Sequence, residues 1–256
     1  MTLNAPTLWR QHLPVPVNDG HKYKRGHALI VGSECVTGAT RRASEAGSRS
    51  GAGLGTVWSE THADIYRVTL PADLMIAEQS VEGLRGVNTV LAGSGGCTDQ
   101  QAEIVFRTFE DATFVLDADA LRFLERIERR TCVLTPHEGE FARFIGPLGS
   151  DKTETAAAAA KEHGCIVVLK GAQTIIAAPD GRVVMNETAS PYLAKAGTGD
   201  VLAGLITGLV TQHMPAFEAA CAGVWIHGHA GKRIGPGLLP QDIMLELRAI
   251  LRELFA

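Results

Sequence analysis

With 256 residues, 45% of them hydrophobic and 20% charged, the chain can bury a large core and has the composition of a soluble globular protein. A net charge of −4 gives no electrostatic reason to expect nucleic acid or an anionic membrane as partner, and no apolar run is long enough to span a bilayer. Five scattered cysteines (Cys35, Cys97, Cys132, Cys165 and Cys221), none in a CxxC pair, predict reduced thiols and a cytoplasmic protein. No HxxxH or HExxH spacing occurs, so no structural metal site is expected.

Residues 1–21, with Pro6, Pro14 and Pro16 and no apolar signal segment, predict an extended polar lead-in. It ends in a basic cluster, His21 to Gly26, read as a solvated turn rather than a phosphate-facing lid. His27 to Gly32 is a short apolar run ending in glycine, as buried parallel strands do. A polar loop follows, and Gly38-Ala39-Thr40 opens a helix through Ser50. Its GSECVTG segment does not fit GxGxxG, which argues against a dinucleotide fingerprint. Gly51 to Trp58 reads as a glycine turn into a second strand, further strands are expected at 73–78 and 87–92, the last running into Gly93-Ser94-Gly95-Gly96, and a helix from about Asp99 to Phe109.

The strand 114–116 ends at Asp117-Ala118-Asp119. Asp117 is the expected site residue and Asp119 the expected cap of a helix at 120–129. Cys132 to Thr135 is a strand ending in Pro136-His137-Glu138, where Glu138 and Glu140 suit a first helical turn and His137 suits a ligand contact. An alanine-rich helix at 153–163 precedes the strand Ile166 to Leu169, which ends in Lys170-Gly171. Residues 173–178 and 182–186, joined by Pro179-Asp180-Gly181, read as an edge hairpin. Two helices, about 215–233 and 240–254, close the chain, and no repeat or linker divides the single domain expected over 1–256.

Between the hairpin and those helices lies KAGTGDVLAGLITGL, residues 195–209. Two glycines allow a tight turn, and the N–H groups of the helix start that follows have no partner inside the helix. Such an end attracts phosphate. Asp200 sits there, placed either to cap the helix or to take a proton from a hydroxyl attacking phosphate. In a doubly wound α/β sheet, Gly38-Ala39, Gly93 to Gly96, Asp117, His137 and Lys170-Gly171 all fall on the carboxyl edge, facing that helix start. These are the parts of a phosphoryl-transfer site, although no GxxxxGK[ST] loop is present.

Taken in order, KRGHALIVGS, VTGATRRASEAGSRSGAGLGTV, VLDADAL, LTPHEGEFARF, VVLKGAQTII, the segment from PDGRVVMNE to AKAGTGDVLAGLITGL, and VWIHGHAG make the chain resemble the ribokinase-like superfamily. Within it the chain resembles the ADP/ATP-dependent NAD(P)H-hydrate dehydratases over about residues 22–232. Two positions of GSGGC depart from that family's usual GPGLG, and residues 1–21 have no clear counterpart. The resemblance implies a three-layer α/β/α sandwich with a mostly parallel sheet and an edge hairpin, here in a stand-alone form without the epimerase domain fused in many relatives. It implies a lyase that uses ADP or ATP, with Mg2+ on the phosphates, to dehydrate the 6S epimer of NADH or NADPH hydrate. Asp200 is then the catalytic base and Gly197, Thr198 and Gly199 the anion hole. Lys170, Gly171, Ala172, Gln173, Thr174 and Gly199 bind the adenine nucleotide, and Ala39, Gly95, His137 and Asp200 bind the hydrate. A cytoplasmic homo-oligomer is expected. The alternatives are a small-alcohol kinase of the same superfamily and a non-catalytic nucleotide sensor.

Overall fold

The protein is described here by a computed structural model covering residues 2–18, 20–127 and 130–256. Thr2–Leu3 forms a short strand, β1, and Pro6–Trp9 a single helical turn, α1. There follow β2 (His27–Val31), α2 (Thr37–Arg49), β3 (Leu54–Trp58), α3 (Ala63–Thr69), β4 (Met75–Ala77), β5 (Val87–Ala92) and α4 (Asp99–Thr108). Next come β6 (Thr113–Leu116), β7 (Cys132–Leu134), α5 (Glu138–Phe144), α6 (Lys152–His163), β8 (Ile166–Leu169), β9 (Thr174–Ala177) and β10 (Val183–Asn186). Three helices complete the chain: α7 (Thr198–Thr211), α8 (Ala216–Ile234) and α9 (Pro240–Phe255).

These strands form one sheet in the order β1-β10-β9-β8-β7-β6-β5-β2-β3-β4. Only β9 runs against its neighbours, β8 and β10. The central strands are buried on both faces, which is why their sequences are continuously apolar rather than alternating. Successive residues still point to opposite faces. Ile30, Leu91, Val115, Val133 and Val168 pack under α2, α7, α8 and α9, whereas Leu29, Val90, Phe114, Leu134 and Val167 pack under α4, α6 and the segment after β6. The result is the three-layer arrangement expected, with the β9–β10 hairpin near one edge. No helix among the described residues is long and apolar enough to cross a membrane.

Three expectations change. The lead-in is not simply extended: β1 pairs in parallel with β10 and covers the hairpin edge. Trp9 is fully buried, donates from Nε1 to Asn4 Oδ1 at 3.1 Å and stacks obliquely near Trp225. Asn4 in turn donates to Asn186 Oδ1 and to the Cys221 carbonyl, so the segment is tied to the hairpin and to α8. Asp119 caps nothing. A 3-10 helix, Ala118–Arg126, starts two residues earlier than expected, with Asp117 at its N-cap position and Asp119 exposed in its first turn. Finally, α3 is a helix the sequence reading does not give: its apolar residues do not share one face, since Ile65 and Val68 are exposed while Ala63 and Tyr66 are buried, and the Tyr66 hydroxyl donates to the Ser33 carbonyl.

Candidate active site

The site is created by how closely α2 and α7 approach. A Cβ on Gly204 would stand 2.1 Å from the Ala43 carbonyl oxygen, and one on Gly208 would stand 2.3 Å from the Gly47 carbonyl oxygen. Backbone therefore meets backbone, and the two helix starts are drawn side by side above the carboxyl ends of β2 and β5. Neither start has a side-chain cap. At α7, Gly197 takes φ 97°. The Thr198 N–H closes a turn on the Lys195 carbonyl at 3.3 Å, and its hydroxyl donates to the carbonyls of Leu193 and Lys195. The N–H groups of Gly199 and Asp200 in the first turn remain for a ligand. Of the expected anion-hole residues Gly197, Thr198 and Gly199, Thr198 has its N–H engaged by Lys195, while the Gly199 N–H is open with that of Asp200 beside it.

Charges converge on this turn. Lys170, following β8, donates from Nζ to Asp117 Oδ1 at 3.0 Å and lies 3.8 Å from Glu140 Oε2. Thr135 donates to the same Asp117 oxygen at 2.7 Å. Burial opposes the Lys170 charge, but Asp117, Glu140 and Asp200 outweigh it and raise its pKa. Burial, seconded by the charges of Asp117 and Glu140 and opposed by Arg42 and Lys170, lifts Asp200 from 3.8 to about 6. A carboxylate poised there is ionised at neutral pH yet basic enough to accept a proton. His227 of α8 has Nε2 2.9 Å from the Thr198 carbonyl oxygen, so that nitrogen carries the proton. Burial lowers its pKa to about 4 and keeps the ring neutral.

Two cavities lie near these groups; only the larger is lined by the turn, through Thr198 and Gly199, and neither is lined by Asp200 or Ala39. The larger one, about 700 Å3, is lined by Lys170, Gly171, Ala172, Thr174, Gly199 and His227 among others. A second, about 540 Å3, is lined by Gly95, Gly96, Asp119, His137, Glu140 and Arg143 among others. His137 borders both. Its backbone conformation makes it the N-cap of α5: Nδ1 accepts from the Gly139 and Glu140 N–H groups, while Glu140 accepts from its own N–H at 2.8 Å. The Gly93 to Gly96 loop is not slack. Gly96 N–H closes it on the Gly93 carbonyl, Ser33 and Thr40 donate to the carbonyls of Gly95 and Ser94, and Gly95 packs on Ala39 at φ 93°. Gln173 does not line the nucleotide-side cavity; its amide faces Glu187 instead. The basic cluster 22–25 precedes β2, at the end of the strand away from the site, as a solvated turn would.

Sequence reasoning missed Arg42, His227 and the part played by Glu140. The first had a signal: two adjacent arginines in the amino half of a helix otherwise built from small residues run against the helix dipole. His227 and Glu140 lie within the VWIHGHAG and LTPHEGEFARF segments that carry the resemblance, but nothing local says that they reach the turn, since only the fold brings α8 and α5 there.

The NAD(P)H-hydrate dehydratase family matches residues 27–246. The chain is similar to an ADP-dependent (S)-NAD(P)H-hydrate dehydratase from Xanthomonas campestris, 35% identical over 99% of this chain and 96% of the relative. It is also similar to a bifunctional NAD(P)H-hydrate repair enzyme from Methanopyrus kandleri, 35% identical over 92% of this chain but 51% of that protein. The chain spans about half the length of the bifunctional relatives it matches. A crystal structure of the ADP/ATP-dependent NAD(P)H-hydrate dehydratase from Bacillus subtilis, crystallised with ATP and Mg2+, superposes with a TM-score of 0.86 and 26% identity, covering 99% of this chain and 98% of that one. Ribokinase from Thermotoga maritima, at TM-score 0.56 and 13% identity, shares the fold alone. Uncapped donors, an elevated carboxyl and nearby cavities thus stand in a chain that belongs to the NAD(P)H-hydrate dehydratase family.

Proposed function

We propose that the chain dehydrates the 6S hydrate of NADH or NADPH at the expense of ADP or ATP. The observation that carries this is Asp200: a carboxylate with its pKa raised to about 6, at a helix start with free N–H donors that borders the larger cavity through Thr198 and Gly199. The larger cavity takes the adenine nucleotide, along Lys170, Gly171, Ala172, Thr174 and Gly199. The smaller takes the hydrate, along Gly95, His137 and the Ala39 end of α2. Asp200 removes the proton from the C6 hydroxyl, and that oxygen attacks the terminal phosphorus. With ADP, the bond from that phosphorus to the AMP oxygen breaks and AMP leaves. The phosphate ester then eliminates: the C5 proton passes to water, the C5=C6 double bond forms as the C6–O bond breaks, and the dihydropyridine and phosphate are released. The N–H groups of Gly199 and Asp200 and the Lys170 ammonium hold the phosphoryl oxygens as charge moves onto them.

Magnesium fits as an ion brought in on the nucleotide. No cluster of three metal-binding side chains exists among the described residues, and Asp117, the most buried carboxylate, is occupied by Thr135 and Lys170. Carried on the nucleotide, the ion would neutralise phosphate charge, and Glu140 and Asp200 are the carboxylates of the site that could receive it. A homo-oligomeric state, which light scattering tests, and a cytoplasmic setting go with the family resemblance.

The test is the near-ultraviolet absorbance of the dihydronicotinamide ring, followed on NADH hydrate with ADP, with ATP and with neither. A rise that requires a nucleotide supports the reading and names the donor. A flat trace in all three, with a stable phosphate ester formed from a small alcohol, would replace it with the kinase.

A further inference from the structure

Arg42 has no hydrogen bond or ion pair among the described residues, as is true of several other arginines, its neighbour Arg41 among them; its position is what sets it apart. Arg49, Arg67, Arg107, Arg122, Arg182 and Arg233 each contact a carboxylate. Arg42 is partly buried on α2, and its guanidinium lies across the two uncapped helix starts. Its Nε and Nη1 stand 2.9 Å from where a Cβ on Gly197 would be, and Nη1 stands 3.6 Å from where one on Gly38 would be. Lys170 reaches the same turn from the other side, with Nζ 3.5 Å from the corresponding point on Gly199. Residues two apart on a helix point about 200° apart, so the two cations flank the turn.

A guanidinium between two positive helix ends is repelled by both. No protein carboxylate lies within ion-pair distance to offset this; Asp200 feels Arg42 only as a field that eases its ionisation. The guanidinium is therefore left without a paired anion beside the two helix starts, where a phosphoryl group would supply one. A planar fork with fixed N–H donors matches two phosphoryl oxygens as an ammonium cannot.

We propose that Arg42 is a further catalytic residue, whose guanidinium donates to the oxygens of the transferring phosphoryl group from the Gly197 side while Lys170 holds it from the Gly199 side. This rests on the phosphoryl-transfer reading above. In the step it serves, the Asp200 carboxylate takes the hydroxyl proton, the new O–P bond forms, and the bond to the nucleotide's leaving oxygen breaks. Arg42 keeps its proton throughout and stabilises the oxygens that gain charge.

The experiment compares wild type with R42A, R42Q and R42K, each checked for an unchanged melting transition. For R42A, kcat on NADH hydrate with ADP falls by about 10²–10³-fold, the loss typical of removing one preorganised donor, while the Kd for ADP changes less than about threefold. R42K recovers only part of this, because the charge returns without the fork. The acidic limb of the kcat profile moves to higher pH in R42A and R42Q, since Asp200 then feels Asp117, Glu140 and Lys170 without Arg42, and it stays in place in R42K. A second readout needs no hydrate: calorimetric binding of AMP with and without orthovanadate. In wild type vanadate tightens AMP binding, and in R42A that coupling is lost. If wild type turns over hydrate but R42A keeps its kcat and its vanadate coupling, the proposal fails and the dehydratase stands. If wild type has no hydrate activity yet shows an Arg42-dependent vanadate coupling, the dehydratase reading fails and Arg42 remains a phosphoryl ligand.

Discussion

Replacing Asp200 by Asn separates two consequences of one carboxylate. The folded protein raises its pKa from 3.8 to about 6, with burial the first cause and the Asp117 and Glu140 charges adding to it. The ionised form is thus disfavoured in the fold. Its contribution to stability is fully present below pH about 4 and is lost as the pH rises through about 6. At about 1.4 kcal/mol per pH unit, a shift of about two units sets a ceiling near 3 kcal/mol. Part of the side chain meets solvent, which reduces the expected cost to about 1–2 kcal/mol. Asn keeps the shape and cannot ionise, so Asp200→Asn is expected to be the more stable protein above pH 6. For a chain of this size the melting temperature at pH 7.5 rises by about 3–6 °C. At pH 5 the difference shrinks. The same variant loses hydrate turnover and keeps ADP binding. Thermal melts at both pH values, with turnover and ADP titration in parallel, check all of this. A variant that melts at or below wild type at pH 7.5 would refute the electrostatic argument, and one that retains turnover would refute the assignment of the base.

Three other outcomes follow from the same geometry. Turnover should fall tenfold per pH unit below an acidic limb near pH 6, because the base acts only when ionised; a limb near pH 4 in the kcat profile would mean the site does not hold Asp200 as described. Gly204→Ala puts a Cβ 2.1 Å from the Ala43 carbonyl oxygen. Overpacking of about 1–3 kcal/mol or more, set against at most ~1 kcal/mol of helix propensity, should lower stability in a denaturant titration and lower kcat as the helix starts move apart. A neutral or stabilised variant would show that the helices do not meet at Gly204. His137→Ala removes the cap of α5 and should cost about 1 kcal/mol, which His137→Asn should largely restore. In steady-state kinetics both should raise the KM for hydrate more than that for ADP, and the reverse would mean the two cavities are exchanged.

Much of this molecule is legible in the order of its residues. Runs such as Ala28 to Val31 and Phe114 to Leu116 have no polar residue because both faces are covered, and that pattern alone calls for a parallel sheet between helix layers. The residues that end those runs, from Gly93 through Asp117, His137 and Lys170, are polar or glycine because a parallel sheet leaves its carboxyl edge open to ligand. Gly197-Thr198-Gly199-Asp200 reads as an anion-binding helix start, since the donors there are unpaired whatever surrounds them.

Relations between distant segments required the folded chain. Trp9 looks like part of a polar tail until Asn4, Asn186 and Cys221 are seen to hold it. Lys170 reads as a nucleotide ligand, yet its nearest contact is Asp117, 53 residues away. The pKa of Asp200 is the sum of burial and of four charges from α2, β8 and the segments after β6 and β7. Arg42 stands out in the sequence only as one of two adjacent arginines near a helix start, and its place is decided when Gly204 and Gly208 let α2 close on α7 and bring its guanidinium to Gly197. Local propensity and periodicity act over a few residues and determine the elements. Fields, desolvation and backbone contact act across the fold, so the charge state and reach of the catalytic groups were decided only by tertiary structure.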